Sequence, residues 1–311
     1  MHFSIVISPG KILVSAKVRQ RQVKKGNCEK YIVAMDLSLH LSGVFFLLCG
    51  LWWSIQTTKK YYQAKQQRTP FISTLTYSCC LFCRKIPVES LLKFLFSIGY
   101  IVYEIILATD FGNAHNLNYL NLLHMTVFAF FAFSYIIEIL GHFKVKFIVD
   151  DLDYITLIFA FGAQALLYGC HFTTEDSLQC VVHNLMQYTA VMCCAITILE
   201  MKFRNNIVFP LFRGVFSMLL GTWILHTALF LMNGTVATET TNDAWMISLY
   251  FSWHCGVNAA ILLCIWLITY KLLSHNKCCC LPITSDNEGV CLHNRVRFDY
   301  PLLDRLESDV D

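Results

Sequence analysis

The chain has 311 residues and a net charge of +3; 56% of the residues are hydrophobic and only 14% are charged. Soluble domains carry about a quarter charged residues, so this apolar content excludes an ordinary water-facing domain. The small charge, with no basic stripe, also excludes a nucleic-acid binder. The expectation is an all-α polytopic membrane protein, a bundle of about seven transmembrane helices with the lipid bilayer as solvent.

Residues 1–34 come first and are basic, with Lys11, Lys17, Arg19, Arg21, Lys24, Lys25 and Lys30. Their apolar runs are too short to span, and the basic residues follow those runs, the reverse of a signal peptide. This segment is expected to be disordered or foreign to the natural protein, with Met35 as the true start. Residues 35–275 form the transmembrane domain and 276–311 a polar tail.

A spanning helix needs roughly 20 mostly apolar residues, because the hydrocarbon core is about 30 Å thick and each residue rises about 1.5 Å. Seven stretches meet this: 37–57, 88–109, 120–143, 152–172, 179–201, 207–232 and 244–272. In the first, "GVFFLLCGLWWSIQTTKKYY", Trp52 and Trp53 suit the interfacial aromatic belt, with Lys59 and Lys60 just beyond it in water. The second carries Glu89, Lys93 and Glu104 among its apolar residues. Pro87 and Pro210 fall near helix starts, where a missing N–H costs least. Gly50 with Ser54, and Ser217 with Gly221, have the spacing that lets helix backbones approach closely.

Lys and Arg alternate between loops. They fill 58–87, recur at Lys144 and Lys146, at Lys202 and Arg204, and at Lys271 and Lys277, and are missing from 110–119, 173–178 and 233–243. Basic loops stay cytoplasmic, so the N-terminus is expected outside or in a lumen and the tail in the cytoplasm, in the plasma membrane or an endomembrane. Asn233 opens the sequon Asn233-Gly234-Thr235 in an outside loop and is the candidate for N-glycosylation. Cys170 and Cys180 bracket another outside loop, in oxidising territory, and are candidates for a disulfide. Cys79, Cys80 and Cys83, with Cys278, Cys279 and Cys280, are juxtamembrane and cytoplasmic, which suits reversible palmitoylation. The tail holds Asp299-x-x-Leu302-Leu303 and Tyr300-x-x-Leu303, two short patterns that sorting adaptors would read.

Ionisable side chains inside spans are costly, so each is a candidate for function. His40, His124, His171, His183 and His254 fall at similar depth in the outer half, with Glu104 near the outer end of the second span and His226 at comparable depth in the sixth. Converged imidazoles can hold zinc, copper or haem iron, with Glu104 orienting a ring. The alternative is a hydrogen-bonded polar core without metal. At the inner end, Arg213 lies about two turns into the sixth span and needs a partner, Glu200 or Glu138. Such a pair is expected to fix helix packing. No nucleophile with a positioned base can be picked out, so no catalytic residue is assigned.

Four stretches, "GVFFLLCGLWWS" (43–54), "ILEMKFRNNIVFPLFR" (198–213), "GTW" (221–223) and "FSWH" (251–254), occur in an order that resembles the transmembrane protein 45 family, including the transmembrane epididymal proteins. His40 and His124 also stand where that family carries histidines. The resemblance covers Met35 to about His275 and implies a multi-pass membrane protein with no settled biochemical activity. Two functions stay open: a non-enzymatic scaffold or trafficking protein, or a metal- or haem-dependent redox protein or transporter.

Overall fold

A computed structural model describes residues 9–77, 86–111, 119–146, 148–170, 177–232 and 243–275, with side-chain detail for 37–77, 86–109, 121–146, 148–169, 180–229 and 245–273. Among the described residues there are seven α-helices and no strands: α1 Pro9–Gln67, α2 Val88–Phe111, α3 Tyr119–His142, α4 Leu152–Cys170, α5 Ser177–Lys202, α6 Val208–Met232 and α7 Asp243–His275. Each contains a stretch long and apolar enough to cross a membrane. α1 overruns its apolar span at both ends, running back through residues 9–34 and on to Gln67. The added residues are rich in Lys, Arg and Gln, which are good helix formers, so the helix need not stop where the lipid does. It ends where Arg68 turns left-handed (φ 53°) and the Thr69 N–H donates back to the Ala64 carbonyl at 3.0 Å.

Six helices form a ring in which the neighbours are α1–α6, α6–α5, α5–α4, α4–α3 and α3–α2, and the ring closes through a thin seam between α1 and α2. The interior is aromatic. Phe131 packs edge-on against Phe46 (5.3 Å) and Phe161 (5.2 Å), and Tyr100 stacks on Phe128 at 3.9 Å. The α1–α6 contact is the closest, because glycines remove the side chains between the two backbones. A Cβ on Gly221 would lie 2.3 Å from the Leu47 nitrogen, and one on Gly50 would lie 2.5 Å from the Gly214 carbonyl oxygen.

α7 stands outside the ring. Tyr61 and Tyr62 of α1 meet Trp266 at 5.5 and 5.1 Å, and Phe251 meets Trp223 of α6 at 5.1 Å. Only 6% of its apolar window is buried, against 28–56% in the other helices.

Candidate functional site

The ends of α1, α3 and α5 and the starts of α2 and α6 share one end of the bundle. Lys202 ends α5 there and Lys144 and Arg204 lie just past helices, so it is called the basic end. Just inside it Arg213 is fully buried. Its Nε donates to Glu200 Oε2 at 2.6 Å and its Nη2 to Glu200 Oε1 at 3.3 Å, a two-point contact. The guanidinium also lies 4.3 Å from the centre of the Trp53 ring. Glu200 accepts further bonds from Tyr154 Oη at 3.1 Å and from the Ser73 hydroxyl.

Glu138 takes a different cation. Lys93 Nζ lies 2.8 Å from Glu138 Oε2 and 3.2 Å from Glu89 Oε1, one helical turn back on α2. Ser90 adds a hydroxyl bond to Glu138 at 2.9 Å, and the Lys93 ammonium sits 4.8 Å from the Tyr135 ring centre. Trp53 links the two ion pairs: it faces Arg213 and donates its Nε1 to Glu89 Oε1 at 3.0 Å. The network thus holds three carboxylates, Glu89, Glu138 and Glu200, against two cations, Lys93 and Arg213. Lys93 was singled out in the sequence only as a charge within a span; the rule that flagged Arg213 applies equally to it.

Residues 69–77 complete this end as a strap. Phe71, Ser73, Leu75 and Tyr77 alternate inward, a two-residue period that "FISTLTY" carries openly. The Ser73 N–H donates to the Arg204 carbonyl at 2.8 Å, and the Thr74 carbonyl accepts from Arg213 at 3.4 Å. The Tyr77 N–H donates to Glu89 Oε2 at 2.8 Å. Burial pushes the Tyr77 phenol up to about 12, so it stays protonated in its 2.8 Å bond with Thr57. Apart from Lys93–Glu89 within α2, the hydrogen bonds and ion pairs of this assembly join a donor to an acceptor on another element. Its chemistry is cross-linking of helices by charge-assisted hydrogen bonds.

The histidines divide. At the opposite end, His124 Nδ1 lies 3.1 Å from Glu104 Oε1, between α3 and α2. Ser38 of α1 joins them, donating to Glu104 and lying 2.7 Å from the Tyr100 hydroxyl. His254 of α7 bonds His226 of α6, with His254 Nε2 2.9 Å from His226 Nδ1, beside the buried Trp223. His40 and His183 are part-buried on α1 and α5, and His171 lies outside the described residues. Among the described residues, no three His, Cys, Asp or Glu side chains are grouped so that they could hold a metal ion. The arrangement supports hydrogen bonding between helices and, at His226–His254, a proton shared by two imidazoles.

Cys180 is a free thiol whose Sγ accepts from Asn184 Nδ2 at 3.4 Å, and the Cys170 side chain is outside the described residues. Also outside them lie Cys79, Cys80, Cys83, Asn233, Cys278, Cys279, Cys280 and the tail residues Asp299, Tyr300, Leu302 and Leu303.

The model of a family of unknown function, DUF716, matches residues 150–267. The match starts just before α4 and runs through most of α7, so it takes in Glu200, Arg213, His226 and His254 and leaves Lys93, Glu104, His124 and Glu138 ahead of it. Over this stretch the chain is similar to a family that includes the transmembrane protein 45 proteins.

Proposed function

We propose that this chain is a multi-pass membrane protein of the transmembrane protein 45 type that acts as a non-enzymatic scaffold linked to membrane traffic. In this reading its N-terminus is outside or lumenal and its tail is cytoplasmic. The tail is read by sorting adaptors through Asp299, Tyr300, Leu302 and Leu303, and juxtamembrane cysteines carry acyl chains. The observation that carries the reading is α7. It is long enough to span, yet only 6% of its apolar window is buried within the chain. Trp253 and Val257 stand out from it, 59% and 56% exposed. The six-helix ring holds together through contacts that do not need this face, which leaves it free to pack against another membrane protein.

The test is a photo-reactive amino acid placed in turn at Trp253 and Val257 in cells, with adducts identified by mass spectrometry. The same membrane protein captured at both positions, and absent when the probe replaces the buried Met218, supports the scaffold. Adducts with lipid alone would overturn it.

A further inference from the structure

The thin seam between α1 and α2 opens into a cleft of about 630 Å³. Leu48 on α1 and Leu92 and Leu95 on α2 form its rim and are 59%, 62% and 56% exposed, so in a membrane the cleft opens sideways into lipid. Its two ends differ. Toward the bundle middle its wall is the Phe45–Phe96 stack, with ring centres 4.5 Å apart and planes within 8°. Toward the basic end it is lined by Trp52, Glu89 and Lys93. From Phe45 to Trp52 the helix rises about 10 Å, at about 1.5 Å per residue.

One polar group here is left over. Trp52 Nε1 is shielded from water and has no acceptor among the described residues. Buried indole N–H groups ordinarily find a partner. Trp53, the next residue, has one in Glu89. The unmet need is for a single acceptor at the polar mouth of an apolar slot. The charge at that mouth limits what supplies it, because its one cation, Lys93, already sits between two carboxylates, Glu89 at 3.2 Å and Glu138 at 2.8 Å. A phosphate or carboxylate headgroup would add to a negative surplus in a region of low dielectric. A neutral hydroxyl does not. Its oxygen accepts a hydrogen bond from the indole N–H, and its own O–H can donate to a carboxylate such as Glu89.

We propose that the α1–α2 cleft binds a sterol from the surrounding bilayer, with its hydroxyl at Trp52 and Glu89 and its ring system along the Phe45–Phe96 wall. A rigid, flat apolar body loses little conformational freedom on entering a fixed slot, whereas a flexible acyl chain loses more. Trp52 sits where the sequence places the interfacial aromatic belt, the level at which a membrane lipid carries its polar head.

The experiment uses the full chain in lipid nanodiscs with a sterol carrying a photo-reactive diazirine and a clickable alkyne. Unlabelled sterol and unlabelled diacylglycerol serve as competitors, and adducts are mapped by peptide mass spectrometry. The expected result is saturable labelling confined to 43–57 and 88–99 that sterol competes away and diacylglycerol, also hydroxyl-headed and neutral, does not. Trp52→Phe should weaken competition about fivefold, the loss of one hydrogen bond. Leu92→Trp, a change at an exposed rim position, should fill the cleft and abolish the labelling, and Leu48→Trp fills it from the other wall should the first variant unfold. Labelling spread evenly over all lipid-facing helices, wild-type labelling in a folded rim variant, or equal competition by diacylglycerol would each overturn the proposal.

Discussion

Arg213 Nε and Glu200 Oε2 are 2.6 Å apart with both side chains wholly buried, and their helices are neighbours in sequence. Removing one member of such a pair strands the other. Glu200→Ala leaves a guanidinium that cannot lose its proton in a dry site, at a cost of about 3–5 kcal/mol. Arg213→Met leaves a carboxyl that can take up a proton and keep its bonds to Ser73 and Tyr154. Thermal unfolding in detergent should therefore rank wild type first, Arg213→Met second and Glu200→Ala last. An unchanged midpoint for Glu200→Ala would show that the pair contributes nothing.

Lys93 and Glu138 should behave as a coupled unit, since their charged atoms lie 2.8 Å apart away from solvent. Lys93→Met and Glu138→Gln should each destabilise, and the double variant should lose less than the sum by about 0.5–3 kcal/mol. Additive losses in a double-mutant cycle would mean that the two do not interact.

Two glycines predict opposite outcomes for the same substitution. Gly221→Ala forces a methyl group to within 2.3 Å of the Leu47 nitrogen. It should cost about 1–3 kcal/mol as α1 and α6 are pushed apart. Gly256→Ala, inside α7, meets nothing within 4 Å, so it should stabilise by up to about 1 kcal/mol, the helix preferring alanine to glycine. Equal effects at the two positions would contradict the close α1–α6 packing.

The proposed orientation, with the tail in the cytoplasm, rests on loop charge. An epitope after Asp311 should be reachable by antibody only once the cell or organelle membrane is permeabilised, and staining of intact cells would reverse the orientation. In the same cells, Leu302→Ala with Leu303→Ala should shift the protein toward the surface, and an unchanged distribution would remove the sorting patterns from its function.

The helices were legible because a spanning segment must be both apolar and of a set length: the span 152–172 is found as Leu152–Cys170, and 207–232 as Val208–Met232. The depth of Arg213 is equally countable, and it left two partners open; Glu200 lies on Arg213 and Glu138 on Lys93. Facing is harder to read than depth. His124 and His254 both fall in the outer half, yet one meets Glu104 and the other His226, because counting along a helix says nothing of how it is rotated about its axis. The outlying place of α7 is invisible too, since in lipid an apolar face reads the same whether it meets a helix or an acyl chain. The strap went unread because its alternating pattern is short and sits inside a basic loop.

Each buried cation has a partner close in the order of synthesis. Lys93 has Glu89 one turn earlier on its own helix, and Arg213 has Glu200 at the end of the helix just before it. The ribosome therefore delivers each positive charge with a negative one already made. α2 can enter the bilayer carrying its own counter-ion, and α5 and α6 can enter as a hairpin in which Glu200 already faces Arg213. Glu138, which completes the Lys93 site, arrives with α3. A bundle with buried charges near one end can thus be built one helix after another without exposing Lys93 or Arg213 unpaired to lipid at any stage.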